Sequence, residues 1–375
     1  MTYAPRPRWT RLGRAALVSS AVLAAWAWAS LSAEVPTQRA VERNVYLMGT
    51  RATLTASASS RTAAVEDLDQ MLATLELAEA ELSTWRAGSV LSRLNRQPVD
   101  HAMDAPDWLC GLLSELMSWN ELTAGAFDPG VGSLIDAWDL RGDGRKPSRE
   151  AVASAHARTG LRNLSVRDNP CSVTRRVDVT IDAGGFGKGF ALDRVAELGT
   201  SGLVDLGGQV AVFGRNSTSG WPVTIAHPQR RELPVIEIRL SAGSLAVSGG
   251  SERDREVEGK RVGHILDPRT GRPISREIAV AVWHERALVA DVLATGLYVM
   301  GEDKGRAWAD AMNVAACFLI PNGPSESDQV PTVTLSATRA FRSMFLDALQ
   351  TDVRESVGRR NEWVEDVEEH ERRIR

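Results

Sequence analysis

The strictest local condition in this chain lies between residues 176 and 198. A β-branched run ends at Ile181 and delivers Asp182-Ala183-Gly184-Gly185-Phe186-Gly187-Lys188-Gly189-Phe190-Ala191-Leu192-Asp193. An apolar-periodic helix follows, with Leu192, Val195 and Leu198 on one side. Strand, glycine loop and helix in that order let backbone groups approach a ligand closely, and a helix N-terminus attracts anions. Lys188 adds a point charge suited to a phosphate. It is one of four lysines, with Lys146, Lys260 and Lys304, in a chain whose 44 basic residues are otherwise arginine. Its place inside a glycine loop is therefore not compositional noise. Two phosphate motifs are excluded. A Walker A loop fails because Asp182 stands at its first position and Gly189 follows the lysine, which leaves no hydroxyl for Mg²⁺. The dinucleotide fingerprint fails because Phe190 occupies the third glycine position.

The 375 residues suffice for one large domain or two small ones. A net charge of −4 and the absence of a basic tract with interleaved aromatics give no footprint for nucleic acid. The N-terminus reads as an address. Arg6, Arg8, Arg11 and Arg14 precede an apolar or small stretch at 15–33, with candidate cleavage sites at Ala27-Trp28-Ala29 and Ser30-Leu31-Ser32-Ala33. Residues 1–33 are expected to be a signal peptide or an uncleaved membrane anchor, since about 20 apolar residues just cross a bilayer. The arginines would keep the N-terminus cytoplasmic. The chain is then exported, either periplasmic or tethered to the outer face of the inner membrane. Cys110, Cys171 and Cys317 are odd in number and irregularly spaced, which suggests neither a disulfide framework nor a zinc site. Core packing is the expectation for Cys110 and Cys317.

Period-2 and period-3.6 patterns place the elements. Residues 43–58 read as one long strand or a hairpin. Helices are expected at 62–85 and at 107–123 with Asp107 as N-cap, and a short one at 150–158. Strands dominate afterwards, at 164–166, 176–181, 203–206, 210–213, 223–226, 235–240, 245–247, 262–266 and 278–283. Helices at 188–198, 286–300 and 303–312 and a strand at 314–320 complete the series. Helices early and strands later favour α+β over a doubly wound sheet. The Arg-, Glu- and Asp-rich end at 343–375, with sparse apolar points such as Trp363 and Val367, reads as a helical or partly disordered extension.

Four more segments look chemical. In Gly125-Ala126-Phe127-Asp128-Pro129-Gly130 an acid is held beside proline in a turn-rich connection. In Gly263-His264-Ile265-Leu266-Asp267-Pro268-Arg269-Thr270-Gly271 a histidine, expected on a strand, adjoins a Pro/Gly turn. In Ala290-Asp291-Val292-Leu293-Ala294-Thr295-Gly296 the acid and the hydroxyl are four residues apart and share one helix face. A carboxylate and a hydroxyl suit a hard cation such as Mg²⁺. In Asp205-Leu206-Gly207-Gly208-Gln209 paired glycines end a strand and admit a close neighbour.

These segments, together with Met48-Gly49-Thr50, Leu82-Ser83-Thr84-Trp85 followed by Ser89, Ser92 and Asn95, and Ser248-Gly249, resemble the ApbE family, the FAD:protein FMN transferases. The resemblance runs from about Met48 to about Phe341. It implies an α+β, T-fold-like single catalytic domain of two related α/β sub-structures over residues 40–342. It implies a Mg²⁺-dependent enzyme that cleaves FAD, attaches FMN through a phosphoester to a Thr or Ser of a target protein, and releases AMP. By motif position Met48, Trp85, Ala126, Phe127, Asp128, Asp182, Lys188, His264 and Ile265 would contact FAD. The Gly185 carbonyl, Asp291 and Thr295 would hold the metal. Target proteins in such a family are membrane redox subunits with an exposed Thr or Ser. Trp85 stands where tyrosine is common and Gln209 where Asn or Asp is usual, and neither touches the metal set.

The residues support the same chemistry. Phosphoryl transfer needs positioning and charge neutralisation, which Lys188 and a cation provide. His264 is the expected base for the acceptor hydroxyl, and therefore the catalytic residue. Two alternatives share these residues: a Mg²⁺-dependent FAD pyrophosphatase, with water as acceptor, and a non-catalytic extracytoplasmic flavin-binding protein.

Overall fold

The computed structural model describes residues 39–214, 220–250, 254–323 and 332–346. The arginine-flanked apolar segment at 1–33 and residues 347–375 of the charged extension lie outside the described residues.

An antiparallel hairpin, β1 (Arg39–Leu47) and β2 (Thr50–Ala58), opens the fold. Met48 and Gly49 form its two-residue turn with φ of 51° and 73°, the positive pair that matches strand twist. This settles the choice left open for residues 43–58. Helix α1 (Arg61–Leu82) starts at Ser60, whose hydroxyl accepts from the Ala63 amide at 3.1 Å. It ends earlier than its apolar period suggests. The Ser83 carbonyl accepts from the hydroxyls of Ser89 and Ser92 at 2.6 and 2.9 Å, which turns the chain away and leaves Trp85 exposed. Next come α2 (Val90–Arg96), β3 (Ala102–Asp104) and α3 (Asp107–Leu122), then α4 (Gly132–Trp138) and α5 (Arg149–Ala157). Pro106, not Asp107, is the N-cap of α3, and Asp107 is the first helical residue, where proline's fixed φ already sets the entry.

Strands β4 (Leu164–Asp168) and β5 (Cys171–Arg175) join β3 in a small antiparallel sheet. The strand expected at 176–181 is not one. Its backbone is spent on side chains and loops: the Ile181 amide and carbonyl pair with the Asn95 side chain, and the Gly132 amide donates to the Thr180 carbonyl. Helix α6 (Gly187–Ala196) leads to β6 (Gly202–Leu206) and β7 (Gln209–Phe213). A ribbon follows, β8 (Trp221–Ala226) and β9 (Pro234–Leu240), and then β10 (Gly243–Gly249). The strand expected at 262–266 is divided. A ribbon of β11 (Arg255–Val257) and β12 (Lys260–Val262) is separated from β13 (Leu266–Asp267) and β14 (Arg272–Pro273). Then come β15 (Ala279–His284), α7 (Ala287–Met300), α8 (Glu302–Ala311), β16 (Ala315–Pro321) and β17 (Val333–Ala337), and the described residues continue into short helical turns at Arg339–Phe341 and Arg342–Leu346.

The main sheet is antiparallel throughout, in the order β1-β2-β6-β7-β10-β15-β16-β17. Each half repeats one order along the chain: two paired strands, helices, two more paired strands. Alternation decides the faces. Val280, Val282, Ala316 and Phe318 pack under α7, while Ala279, Ala281, Cys317 and Leu319 pack against the β8–β9 ribbon behind. The first half-sheet packs Ala52, Leu54 and Val204 under α1 and α6. Helices therefore cover one face, and α6 and α7 meet where the two halves join.

Cys110 and Cys171 form a disulfide with Cα atoms 5.9 Å apart, tying α3 to β5. This corrects the expectation of an unpaired, merely packed Cys110. Cys317 is a buried free thiol, pushed up to about 12 by burial.

Candidate active site

The glycine loop spans the gap between Ile181 and α6. Asp182 caps a single 3₁₀ turn, its carboxylate accepting from the Gly184 amide at 2.8 Å. Its other oxygen accepts from Arg141 at 2.6 Å, and the Arg141 guanidinium lies 5.9 Å from the centre of the exposed Trp85 ring. Asp182 also donates its amide to the Pro129 carbonyl at 2.8 Å, which draws the Ala126–Pro129 segment to the loop. Met48 closes another side. Its methyl lies 3.6 Å from where a Gly187 Cβ would sit, and its amide donates to Glu79 at 2.8 Å.

Helices α6 and α7 cap each other. The Gly189 amide, one of the unsatisfied donors in the first turn of α6, donates to Asp291 Oδ2 at 3.0 Å. Lys188 Nζ reaches Asp291 Oδ1 at 3.1 Å. In return Asp193 of α6 accepts the Ala287 amide at the start of α7, at 2.5 Å. Burial pushes the Asp193 carboxyl above the usual carboxylate range, against the Ala287 amide and Arg286. Gly189 makes this approach feasible: a Cβ there would sit 2.4 Å from the Ala287 carbonyl oxygen. Gln209 completes the junction, donating to the Ala287 carbonyl at 2.8 Å and to Ser244 at 3.2 Å.

One turn beyond Asp291, Thr295 faces the glycine loop. A Cβ on Gly185 would stand 3.2 Å from Thr295 Oγ1 and 3.5 Å from the Phe127 ring. Gly185 thus lies beside Thr295, one turn of α7 from the buried Asp291 carboxylate, so a backbone carbonyl, a carboxylate and a hydroxyl belong to this neighbourhood. That all-oxygen donor set fits a hard divalent cation. Asp291 keeps lone pairs beyond those used by Lys188 and Gly189, because each carboxylate oxygen accepts twice.

Phe127 and Ala126 are buried beside this place. The Asp128 carboxylate is directed at the backbone, accepting from the Gly130 amide at 2.8 Å and the Leu161 amide at 3.1 Å. Burial raises it above the usual range, and those amides pull against the rise. Asp128 thus shapes the 126–130 turn.

His264 is not on a strand. It occupies the bend between β12 and β13, where a Gly263 Cβ would run into the Ile274 carbonyl. Its neighbour Ile265 packs on the cluster that holds Ala126, Ala290 and Ala294, which sets this segment against α7. His264 Nδ1 and the His264 amide both meet Asp254 Oδ1, at 2.7 and 2.9 Å. Arg261 donates to the other oxygen at 2.8 Å. Asp254 is held below the usual range: burial pulls it up, and the contacts with His264 and Arg261 outweigh that pull.

The model of the ApbE family matches residues 48–318. The chain belongs to the ApbE family. Among relatives of this ApbE chain, an FAD:protein FMN transferase of Vibrio cholerae is 32% identical over 258 residues, covering 66% of this chain and 77% of the relative. One from Haemophilus influenzae is 30% identical over 272 residues, covering 67% and 78%. Among solved structures, an ApbE protein from Thermotoga maritima matches with a TM-score of 0.73 at 27% identity, over 82% of this chain and 99% of that one. The apo flavinyl transferase ApbE of Pseudomonas stutzeri matches with 0.70 at 27% identity, over 82% and 97%. The mixed α/β fold is thus shared across the family. Motif reading did not reach Arg141 or Asp254, and it included Asp193 without giving it a role. Only the apolar run in α7 hinted that Asp291 would need a buried partner.

Proposed function

We propose that this protein is an FAD:protein FMN transferase. One observation carries the reading: Lys188 and the cation-fitting set of Gly185, Asp291 and Thr295 stand on one junction, with His264 on a segment packed against the same helix. The names of its relatives agree. Mg²⁺, when bound, would be held by the Gly185 carbonyl, Asp291 and Thr295 and would offset charge on the diphosphate. Lys188 supplies the second positive charge to the diphosphate. Met48, Trp85, Ala126, Phe127, Asp128, Asp182 and Ile265 bound the space for FAD, and Trp85 offers an exposed ring for stacking.

His264 takes the proton of an acceptor Thr or Ser hydroxyl. The acceptor oxygen then forms a bond to the phosphorus on the FMN side. The bond from that phosphorus to the bridging oxygen breaks, and AMP leaves with the electron pair. The proton on His264 passes to solvent, which balances the exchange.

The acceptor we propose is a membrane redox subunit with an exposed Thr or Ser. The apolar N-terminal segment supports an exported location, periplasmic or membrane-tethered. The Cys110–Cys171 pair supports it too, since cytosolic thiols are kept reduced. The repeated order of the half-sheets supports a domain of two related sub-structures over about 40–342.

The test is incubation with FAD, Mg²⁺ and candidate acceptors encoded beside this chain, followed by in-gel flavin fluorescence. A fluorescent acceptor band with matching AMP is the expected result. Fast AMP release with no labelled acceptor would make water the acceptor. FAD recovered intact would reduce the protein to a carrier.

A further inference from the structure

A histidine can act as a base only through the nitrogen that lacks a proton, and which nitrogen that is depends on what the other one meets. At His264 the contact of Nδ1 is with a carboxylate. Asp254 Oδ1 lies 2.7 Å from Nδ1 and 2.9 Å from the His264 amide, so one oxygen holds both ring and backbone. A carboxylate in its ionised form only accepts, so Nδ1 carries the hydrogen. The ring's lone pair is thereby placed on Nε2.

We infer that Asp254 is the positioning residue for His264: it fixes the Nδ1–H tautomer and the ring plane, and Arg261 tempers its charge. This rests on the reading of His264 as base to the acceptor hydroxyl. The arrangement follows the logic of carboxylate–imidazole pairs that orient a base without taking its proton. Here the second carboxylate oxygen is held by Arg261, at 2.8 Å from both Nε and Nη2. With a neutral ring the Asp254–Arg261 pair has no net charge. The ring therefore meets an acceptor that orients it, while the guanidinium limits how strongly the imidazolium is favoured. A lone carboxylate would hold the proton more firmly and slow its onward release.

Among the described residues, other charged and titratable groups stand near this pair. Glu277 approaches Arg261 at 3.8 Å from the segment before β15. Tyr298 on α7 stands close enough to Asp254, Arg261 and Arg276 to interact with them electrostatically. The Tyr298 hydroxyl donates to the Arg276 carbonyl at 2.9 Å, and burial pushes its pKa up to about 12.

The pair is also tied to the segment that carries the histidine. Asp254 opens the β11–β12 ribbon and Arg261 lies in β12, three residues before His264. The Arg261 carbonyl accepts from Ser275 at 3.0 Å, on the far side of the Pro/Gly turn. Asp254 and the Arg261 that holds it therefore both come from the histidine's own excursion out of the main sheet. Neither comes from α6 or the glycine loop, so perturbing Asp254 leaves the Lys188–Asp291 junction intact.

The test uses the full chain with ¹⁵N-labelled histidine, one of six in the sequence, assigned with the H264Q variant. Long-range ¹H–¹⁵N spectra at neutral pH should show His264 protonated at Nδ1. In D254N the proton should redistribute to Nε2, and the histidine's titration midpoint should move to lower pH. In R261M the midpoint should move to higher pH, the opposite sign. In the transfer assay with the fluorescently labelled acceptor, kcat of D254N should fall about 10- to 10²-fold, no further than loss of the base itself. KM for FAD should stay within about twofold, and the acid limb of the rate profile should follow the spectroscopic midpoint. An Nε2–H tautomer in the wild type, or midpoints that D254N and R261M leave in place, would overturn the inference. If D254N does not fold, R261M and the wild-type tautomer decide. If H264Q transfers FMN at the wild-type rate, the base reading fails, whatever the tautomer.

Discussion

Asp291 and His264 each sit in a carboxylate-centred contact, but the two contacts are built from different parts. At Asp291 the carboxylate lies in a helix buried almost along its whole length, and its partners are the first-turn amide and lysine of a second helix. At His264 the carboxylate comes from the edge of a short ribbon, the histidine from a bend, and the ring keeps about a quarter of its surface in solvent. On the function proposed, the first contact would fix distances between groups that handle charge, and the second would hold a base on a segment open to a bulky acceptor. Charge handling would then belong to the packed junction, and acceptor handling to the excursion.

The sharpest break in that comparison is at Asp291. Asp291→Asn should lower kcat about 10³-fold or more, or about 4 kcal/mol of transition-state stabilisation, with Mg²⁺ limiting. Transfer at the wild-type rate under those conditions would remove the cation set from the site. His264→Ala should cost about 10²-fold, the low end for a lost base, while equilibrium FAD binding by flavin fluorescence stays near wild type. A matching loss of FAD affinity would mean that the two regions are not separate. Gly185→Ala adds a methyl 3.2 Å from Thr295 Oγ1. We expect about a tenfold fall in rate, a higher Mg²⁺ requirement in titrations and an unchanged melting temperature.

Asp193→Ala probes the junction without touching the loop. Loss of the α7 cap should destabilise by about 1 kcal/mol, or roughly 2–4 °C for a domain of this size, read by thermal melts. The smallest effect concerns pH. Burial raises the Asp128 carboxyl above 3.8, so the folded chain binds that proton where the unfolded chain has released it. Stability from this group is present below pH 3.8 and lost as pH rises through the folded value. In melts from pH 7 down towards 4, the wild type should therefore gain on Asp128→Asn. A gap that stays constant would show that Asp128 is not the group responsible.

Most helices were legible because their apolar residues recur at helical spacing, and α7 was readable as buried from its lack of a polar face. The strand expected at 176–181 was misread for a physical reason. Val177, Val179 and Ile181 suit an extended chain, yet extension does not supply a neighbouring strand, and Asn95, 86 positions earlier than Ile181, takes the hydrogen bonds instead. The disulfide was invisible because its cysteines are 61 residues apart, and only tertiary packing of α3 on β5 brings them together. Within the site, Lys188, Asp291 and Thr295 stood out by residue type and spacing, and Gly185 was singled out only by the family resemblance. Asp254, Arg141 and Asp193 did not stand out. Each is a charged residue among many, and its meaning comes from one partner that the fold supplies.

The excursion that carries His264 leaves the main sheet after Gly249 and returns at Ala279, and those two residues face each other across the β10–β15 ladder. Departure and return thus fall on a single rung. The sheet is thus a fixed mount for an arm that leaves and rejoins it at one point, and Ile265 pins that arm to α7.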